Sequence, residues 1–284
     1  MKRIWVTALV AAIVTVVFGA LVVLSWMVDE THFDRPSGAF DEFAEQVEDL
    51  PGVDLVDRAR WVEAPTFSDP TSWMHVTVDE AGLPGLVDAA CSTEYADAVT
   101  WSIVVRTPSR AEVSLHAAPA PGTDAGDARC PDFGFDAVRL VDELDRVSPG
   151  LAVQPSIWKD GVLTLVALEM EQPTGFADLL PLVERSDDLV AAAGLDADGA
   201  LEINSANLGA LIEPGENRAY LALLRELAED RAVGSFWADG GGTPTDGVEK
   251  VQIVAPEDQH AAIEDSIRSS GLHIADLPVR FIEQ

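Results

Sequence analysis

Residues 37–62 read SGAFDEFAEQVEDLPGVDLVDRARWV, and the order of elements in this stretch returns later in the chain. Ser37 is a residue type that caps helix N-termini. The apolar residues that follow recur at helical spacing: Phe40, Phe43, Ala44 and Val47. The pattern predicts a helix with one apolar face, which Pro51-Gly52 ends and a strand over 54–62 follows.

The same order of helix and strand begins twice more along the chain. Trp61, Trp158 and Trp237 each stand late in the first strand after such a helix, and each precedes a loop, a strand, a helix and a strand. We therefore predict an α+β fold of three diverged α-β-β-α-β units, each ferredoxin-like, with helices on one face of a mainly antiparallel sheet. The predicted units are residues 40–118, 135–213 and 216–284, with linkers at 29–39 and 119–134.

The three repeated tryptophans have two possible roles. Aromatic side chains on exposed strands bind sugars and peptides, but their equivalent positions equally predict a repeated packing role in which each indole covers the edge of a core. We favour the structural role for Trp61, Trp158 and Trp237.

The N-terminal residues 4–28 form a run of 25 residues without formal charge, preceded by Lys2 and Arg3. This length suffices to cross a hydrocarbon core about 30 Å thick, so we predict a transmembrane signal-anchor helix over residues 1–28. A cleaved signal peptide is the alternative, although its apolar run would be shorter. The basic flank places the N-terminus in the cytoplasm and the rest of the chain outside the cell membrane, in a bacterial envelope.

The charge balance excludes one class of partner. The chain carries 18 Lys and Arg against 49 Asp and Glu, a formal net charge of −31. Nucleic acids and anionic lipids would be repelled, so we expect no nucleic-acid partner.

Two cysteines, Cys91 and Cys130, lie 39 positions apart in the part predicted to be exported. An oxidising compartment permits a disulfide between them, and closing such a loop stabilises a fold by about 4 kcal/mol in the chain-entropy model. Two buried thiols are the alternative.

Motifs for catalysis, cofactors or metals are weak throughout the sequence. The five histidines, His32, His75, His116, His260 and His273, include no pair at the helical i, i+4 spacing of a zinc site. The glycine cluster at 240–242 lacks the following lysine of a phosphate loop, and the acidic residues at 196–199 and around Cys130 resemble solvated turns more than a calcium loop. We therefore expect no cofactor and no specific divalent metal site.

These observations favour a non-catalytic protein-interaction or scaffold module of the bacterial envelope. The first alternative is an envelope hydrolase or ligand-binding module that uses carboxylates distant in sequence, since such pairs leave no linear motif. A second alternative is an accessory subunit of a membrane complex. The apolar segment has few polar residues that could hydrogen-bond to other helices, which weakens this alternative.

Overall fold

The computed structural model describes residues 15–19, 21–24, 32–63, 69–119, 129–158, 161–169, 174–238 and 248–282. The strands are β1 His32–Asp34, β2 Val53–Glu63, β3 Thr71–Asp79, β4 Val99–Arg106, β5 Glu112–Ala117, β6 Ala152–Ile157, β7 Leu163–Ala167, β8 Leu201–Asn204, β9 Leu208–Ile212, β10 Ser235–Ala238, β11 Val251–Val254 and β12 Val279–Phe281. From residue 32 onward the α-helices are α1 Gly38–Glu48, α2 Leu83–Ser92, α3 Ala137–Val147, α4 Leu180–Glu184, α5 Ser186–Ala192, α6 Asn217–Asp230 and α7 His260–Ser269.

All of these strands belong to one sheet of twelve, and each strand pairs with its neighbours in sequence order. From β2 to β11, hairpin partners such as β4 and β5 are antiparallel, whereas strands joined through a helix, such as β3 and β4, are parallel. The repeating unit is therefore one helix followed by two strands, half the length of the unit that the sequence predicted.

The prediction of three separate ferredoxin-like units was wrong, because all twelve strands form one sheet. Strand β5 pairs in parallel with β6, and β9 with β10, so the sheet continues across both predicted boundaries between units. The sheet is also mixed rather than mainly antiparallel, because the crossover through each helix returns a parallel strand. Residues 32–34, inside the predicted N-terminal linker, form the edge strand β1.

One face of the sheet is covered by helices along its whole length. The side chains on this face are apolar and alternate along each strand; Met74, Trp101 and Leu115 illustrate this on β3, β4 and β5, since each is fully or almost fully buried. The buried residues beneath all seven helices form one continuous hydrophobic cluster. A unit with a single helix could not cover its strands alone, so adjacent repeats share a core.

The first helix forms as the sequence predicts. Its buried residues are the four apolar ones of the pattern: Phe40, Phe43, Ala44 and Val47. The Ser37 hydroxyl accepts a hydrogen bond from the Phe40 amide, and Gly52 after the helix adopts a φ of +83°, which glycine tolerates.

The sequence over residues 176–193 predicts one helix that ends at Gly194. In the structure this segment is instead divided into a single 3₁₀ turn, α4 and α5. Pro181 stands in the first turn of α4, where its missing amide hydrogen costs nothing, so a new helix begins there. Arg185 has φ −109° and ψ 19°, outside the helical region, and separates α4 from α5.

The transmembrane helix predicted over residues 1–28 falls mostly on residues that the structure does not describe. Residues 15–19 and 21–24 are helical, but most of the segment 4–28 lies outside the described residues. Within the described part of the chain, no helix is both long and apolar enough to cross a bilayer.

Candidate binding surface

The face of the sheet opposite the helices, here called the open face, is covered by no helix in the described part of the chain. Its side chains are the alternate residues of each strand, and most are half-buried rather than fully exposed. Among the described strands, direct cross-strand neighbours on this face form rows perpendicular to the strands. Two of these rows hold its most distinctive chemistry.

The first row crosses β2 to β5 through Asp57, His75, Ser102 and His116, each the register partner of the next. Nδ1 of His75 and Oγ of Ser102 lie 3.1 Å apart and share a hydrogen bond. The ring of Trp73 stacks on His75 with centroids 6.0 Å apart. The row presents two imidazoles and an indole side by side.

His116 lies at the end of this row and is exposed, but the pKa of its imidazole lies below the ordinary value. Desolvation by the surrounding protein is the larger cause, and the neighbouring His75 is the second. Both effects favour the neutral form of the His116 imidazole.

Aspartate, histidine and serine in one row suggest a hydrolytic triad, but their contacts differ from one. The Asp57 carboxylate accepts its recorded hydrogen bond from the Arg58 amide, and Ser102 meets the Nδ1 atom of His75 rather than Nε2. A triad needs the carboxylate on Nδ1 and the serine on Nε2. This row can bind a polar partner, and its geometry does not favour acyl transfer.

The second row crosses seven strands and contains no acidic residue. Its members, from β6 to β12, are Gln154, Val166, Asn204, Gly209, Trp237, Gln252 and Arg280. Trp237 lies beside Gly209, which offers no side chain, and the indole Nε1 donates to the carbonyl of Ser205 at 3.3 Å. Amide side chains and an indole on a flat strand surface suit hydrogen bonding and stacking with a partner.

The three repeated tryptophans lie at the same end of the open face. Strands β2, β6 and β10 run in one direction, and Trp61, Trp158 and Trp237 stand at or just beyond their C-terminal ends. Trp61 contacts the ring of His32 at 5.0 Å, and Trp158 is 62% exposed. Trp73 lies at this end as well, because it opens the antiparallel strand β3.

Trp101, by contrast, faces the helices and is buried. Its Nε1 donates to the carbonyl of Arg129 at 2.7 Å, and Nη1 of Arg129 donates to the carbonyl of Tyr95 at 3.0 Å. Cys91 at the end of α2 and Cys130 are joined by a disulfide directly beside this contact. The segment before α3 is thereby held against the first repeats.

Among the described residues, the carboxylates of Glu80 and Glu202 have a pKa raised above the ordinary value. For Glu80 the causes are burial and then the charges of Asp145 and Asp142, and for Glu202 burial exceeds the opposing hydrogen bond from Thr164. A hydrolase would place such a group in a cleft beside a second carboxylate. Four grooves on the described surface have volumes of about 300–630 Å³, and neither Glu80 nor Glu202 lines any of them.

The acidic turns named in the sequence have ordinary roles where the structure describes them. Asp136 caps α3 by accepting from the Arg139 amide, and Asp132 accepts from the Gly134 amide. Asp124, Asp127 and the glycines 240–242 lie outside the described residues.

Metal-ligating side chains converge at one place in the described part of the chain, where Glu213, Glu216 and His273 meet. Sequence analysis did not find this group because its members lie up to 60 positions apart and share no motif. The only local signal is the sequence Glu213-Pro214-Gly215-Glu216, which is typical of a turn.

Comparison of the chain with protein-family models, with curated proteins and with solved structures finds no match in any of the three.

Proposed function

We propose that this chain is an extracytoplasmic, non-catalytic module that binds a protein partner on the open face of its sheet. The observation that carries the proposal is a sheet of twelve strands on which the described helices pack against one side only. A large sheet face with half-exposed aromatic side chains is typical of a protein-binding surface rather than of a finished exterior.

Side-chain chemistry on the open face supports a partner with an uncharged contact area. Apart from Asp57 at the end of the first row and Arg280 at the end of the second, the two rows offer histidine, serine, amide and indole groups. These groups pair with backbone and neutral polar groups of another protein. The net charge of −31 repels acidic partners from the whole molecule. The expected partner is therefore a protein with a largely neutral contact patch and a basic rim, attracted by the negative net charge of the chain.

The disulfide between Cys91 and Cys130 supports a location outside the cytoplasm. Disulfides persist in oxidising compartments and are rare where glutathione keeps thiols reduced. We place the folded part of the chain on the outer side of the cytoplasmic membrane, in the cell envelope. A C-terminal alkaline phosphatase fusion tests this placement, because the phosphatase is active only after export; an inactive fusion, made in full amount, would contradict it.

The binding proposal is tested by photo-crosslinking from each side of the sheet. A photoreactive phenylalanine derivative replaces Ser114 on the open face or, as the matched control, the exposed Asp142 on helix α3. The purified full chain is then illuminated in a solubilised envelope extract from its own organism. We expect one dominant crosslinked protein from position 114 and none from position 142.

Two further variants separate a specific contact from adventitious capture. Trp73→Ala removes an aromatic group of the open face, whereas Val138→Ala removes an exposed apolar group of α3. The crosslink should weaken at least tenfold with Trp73→Ala and persist with Val138→Ala. Equal crosslinking from both sides, no crosslink, or a bound glycan in place of a protein would each overturn the proposal.

A further inference from the structure

The side chains of Glu213, Glu216 and His273 come together from two ends of the last third of the chain. Glu213 follows strand β9, Glu216 directly precedes helix α6, and His273 begins the turn after helix α7. One ligand atom from each residue lies within 4.8 Å of the other two. This convergence depends on tertiary structure, since α6 and α7 separate the first two residues from the third.

A tight turn places the two glutamates side by side. The amide of Glu216 donates to the carbonyl of Glu213 at 3.0 Å, and Gly215 has a φ of +78°. Proline at the second position and glycine with positive φ at the third are the residues that a type II turn requires. The turn thereby holds the backbones of Glu213 and Glu216 close together.

The imidazole of His273 is oriented toward these carboxylates. Its Nδ1 lies 2.8 Å from Oε2 of Glu216, and its backbone amide donates to Oε1 of the same residue at 3.3 Å. The ring of Tyr220 packs beside it at 6.2 Å. The side chains of His273 and Glu216 are only 20% and 22% exposed, whereas Glu213 is exposed and leaves a path from solvent.

A hydrogen-bonded histidine–glutamate pair explains His273 and Glu216 but not the position of Glu213. Glu213 brings a second carboxylate to a half-buried pair, and the repulsion between two like charges at this distance would be offset by a bound cation. Imidazole nitrogen with carboxylate oxygen is a ligand set that suits zinc, whereas calcium and magnesium take oxygen ligands alone. Tetrahedral zinc bonds of about 2.0–2.2 Å place ligand atoms roughly 3.3 Å apart. Nδ1 of His273 and Oε2 of Glu216, now 2.8 Å apart, would therefore separate slightly, and the exposed Glu213 side chain would approach by rotation.

We propose that Glu213, Glu216 and His273 bind one divalent transition-metal ion of the zinc type, with water completing its coordination. The site is separate from the open face and does not depend on the binding function proposed above. Its physical effect is to connect the β9–α6 turn with the turn that precedes the edge strand β12, so a bound ion stabilises the C-terminal repeat.

The test is isothermal titration of the full chain with Zn²⁺ after removal of metals by chelation. We expect one zinc ion per chain, with affinity at least tenfold weaker in both Glu213→Gln and His273→Ala. Glu213→Gln is the decisive variant because an exposed residue is replaced and the fold is retained; circular dichroism checks this. The matched control is His32→Ala, which removes the imidazole of an exposed histidine–glutamate pair with no second carboxylate assigned to it.

A second measurement separates a selective site from general attraction of cations to an acidic protein. Thermal denaturation with Zn²⁺ should raise the melting temperature of the parent chain and of His32→Ala, but not of Glu213→Gln, and Ca²⁺ should have no comparable effect. Absence of zinc binding, unchanged affinity in Glu213→Gln, or equal stabilisation by Ca²⁺ would overturn the proposal.

Discussion

Single residues of the open face differ in how much they support the fold, and the repeated tryptophans show this. Trp237 lies beside Gly209 and donates its indole N–H to the Ser205 carbonyl, so part of its ring substitutes for a missing side chain. Trp158 is 62% exposed and stands just beyond strand β6. Equivalent places in the sequence therefore carry different structural roles.

Replacing Trp237 and Trp158 in turn compares the stability contributed by a half-buried indole with that of an exposed one. Trp237→Ala should lower the free energy of unfolding by about 2 kcal/mol, because it removes a half-buried ring and its hydrogen bond. Trp158→Ala should change it by less than about 0.5 kcal/mol, as exposed substitutions do. Urea denaturation measures both; equal losses would mean that Trp158 packs as Trp237 does.

Glu202 supplies a prediction about pH. Burial raises its pKa in the folded state, so between the unfolded and folded pKa values the folded chain binds more protons. Stability linked to this group is therefore present at low pH and is lost as the pH rises through the folded pKa.

Glu202→Gln removes the free-energy cost of ionising a buried carboxyl group. The glutamine side chain still offers an acceptor for the Thr164 hydroxyl. The melting temperature should rise by roughly 1–2 °C at pH 7, and the gain should vanish near pH 4, below the unfolded pKa. A gain that persists at pH 4 would show that ionisation of Glu202 is not its source.

At the scale of elements, the helices follow local sequence more closely than the strands do. The apolar stripe of residues 217–230 predicts a helix with the bounds that α6 has, Asn217–Asp230. The apolar residues at 272–282 predict a strand over that whole range. Strand β12 covers only Val279–Phe281 of it, because a 3₁₀ turn occupies His273–Asp276. Short strands depend on the neighbour with which they pair, and that neighbour is not visible in local periodicity.

The N-cap of α3 is a local device whose loss should be measurable. The Asp136 carboxylate accepts from the Arg139 amide at 3.1 Å and adds negative charge at the helix N-terminus. Asp136→Ala should destabilise the fold by about 1 kcal/mol in urea denaturation, and Asp136→Asn, which still caps, by clearly less. Equal losses in the two variants would assign the effect to charge rather than to capping.

The whole molecule is organised by its single sheet and its continuous core. Adjacent repeats share buried side chains, and parallel pairing of β5 with β6 and of β9 with β10 joins parts that the sequence divided. The disulfide from Cys91 to Cys130 closes a loop of 39 positions within the first repeats. Folding of one part therefore supports its neighbours.

This organisation predicts cooperative unfolding. Scanning calorimetry of the oxidised full chain should show one main transition, because no group of strands has a core of its own. Three resolved transitions would be the result for three independent units, and would mean that the shared core contributes little to stability.

By itself, the sequence determined the apolar faces of helices such as α1 and the acidic net charge, since each depends on residues close in the chain or on composition. Only the tertiary structure decided that the repeats form one mixed sheet, because strand pairing across a helix depends on which repeats can share a core. It alone also brought His75 to Ser102 and His273 to Glu216. Contacts between residues far apart in sequence depend on the order in which strands pair, and local sequence periodicity does not indicate that order.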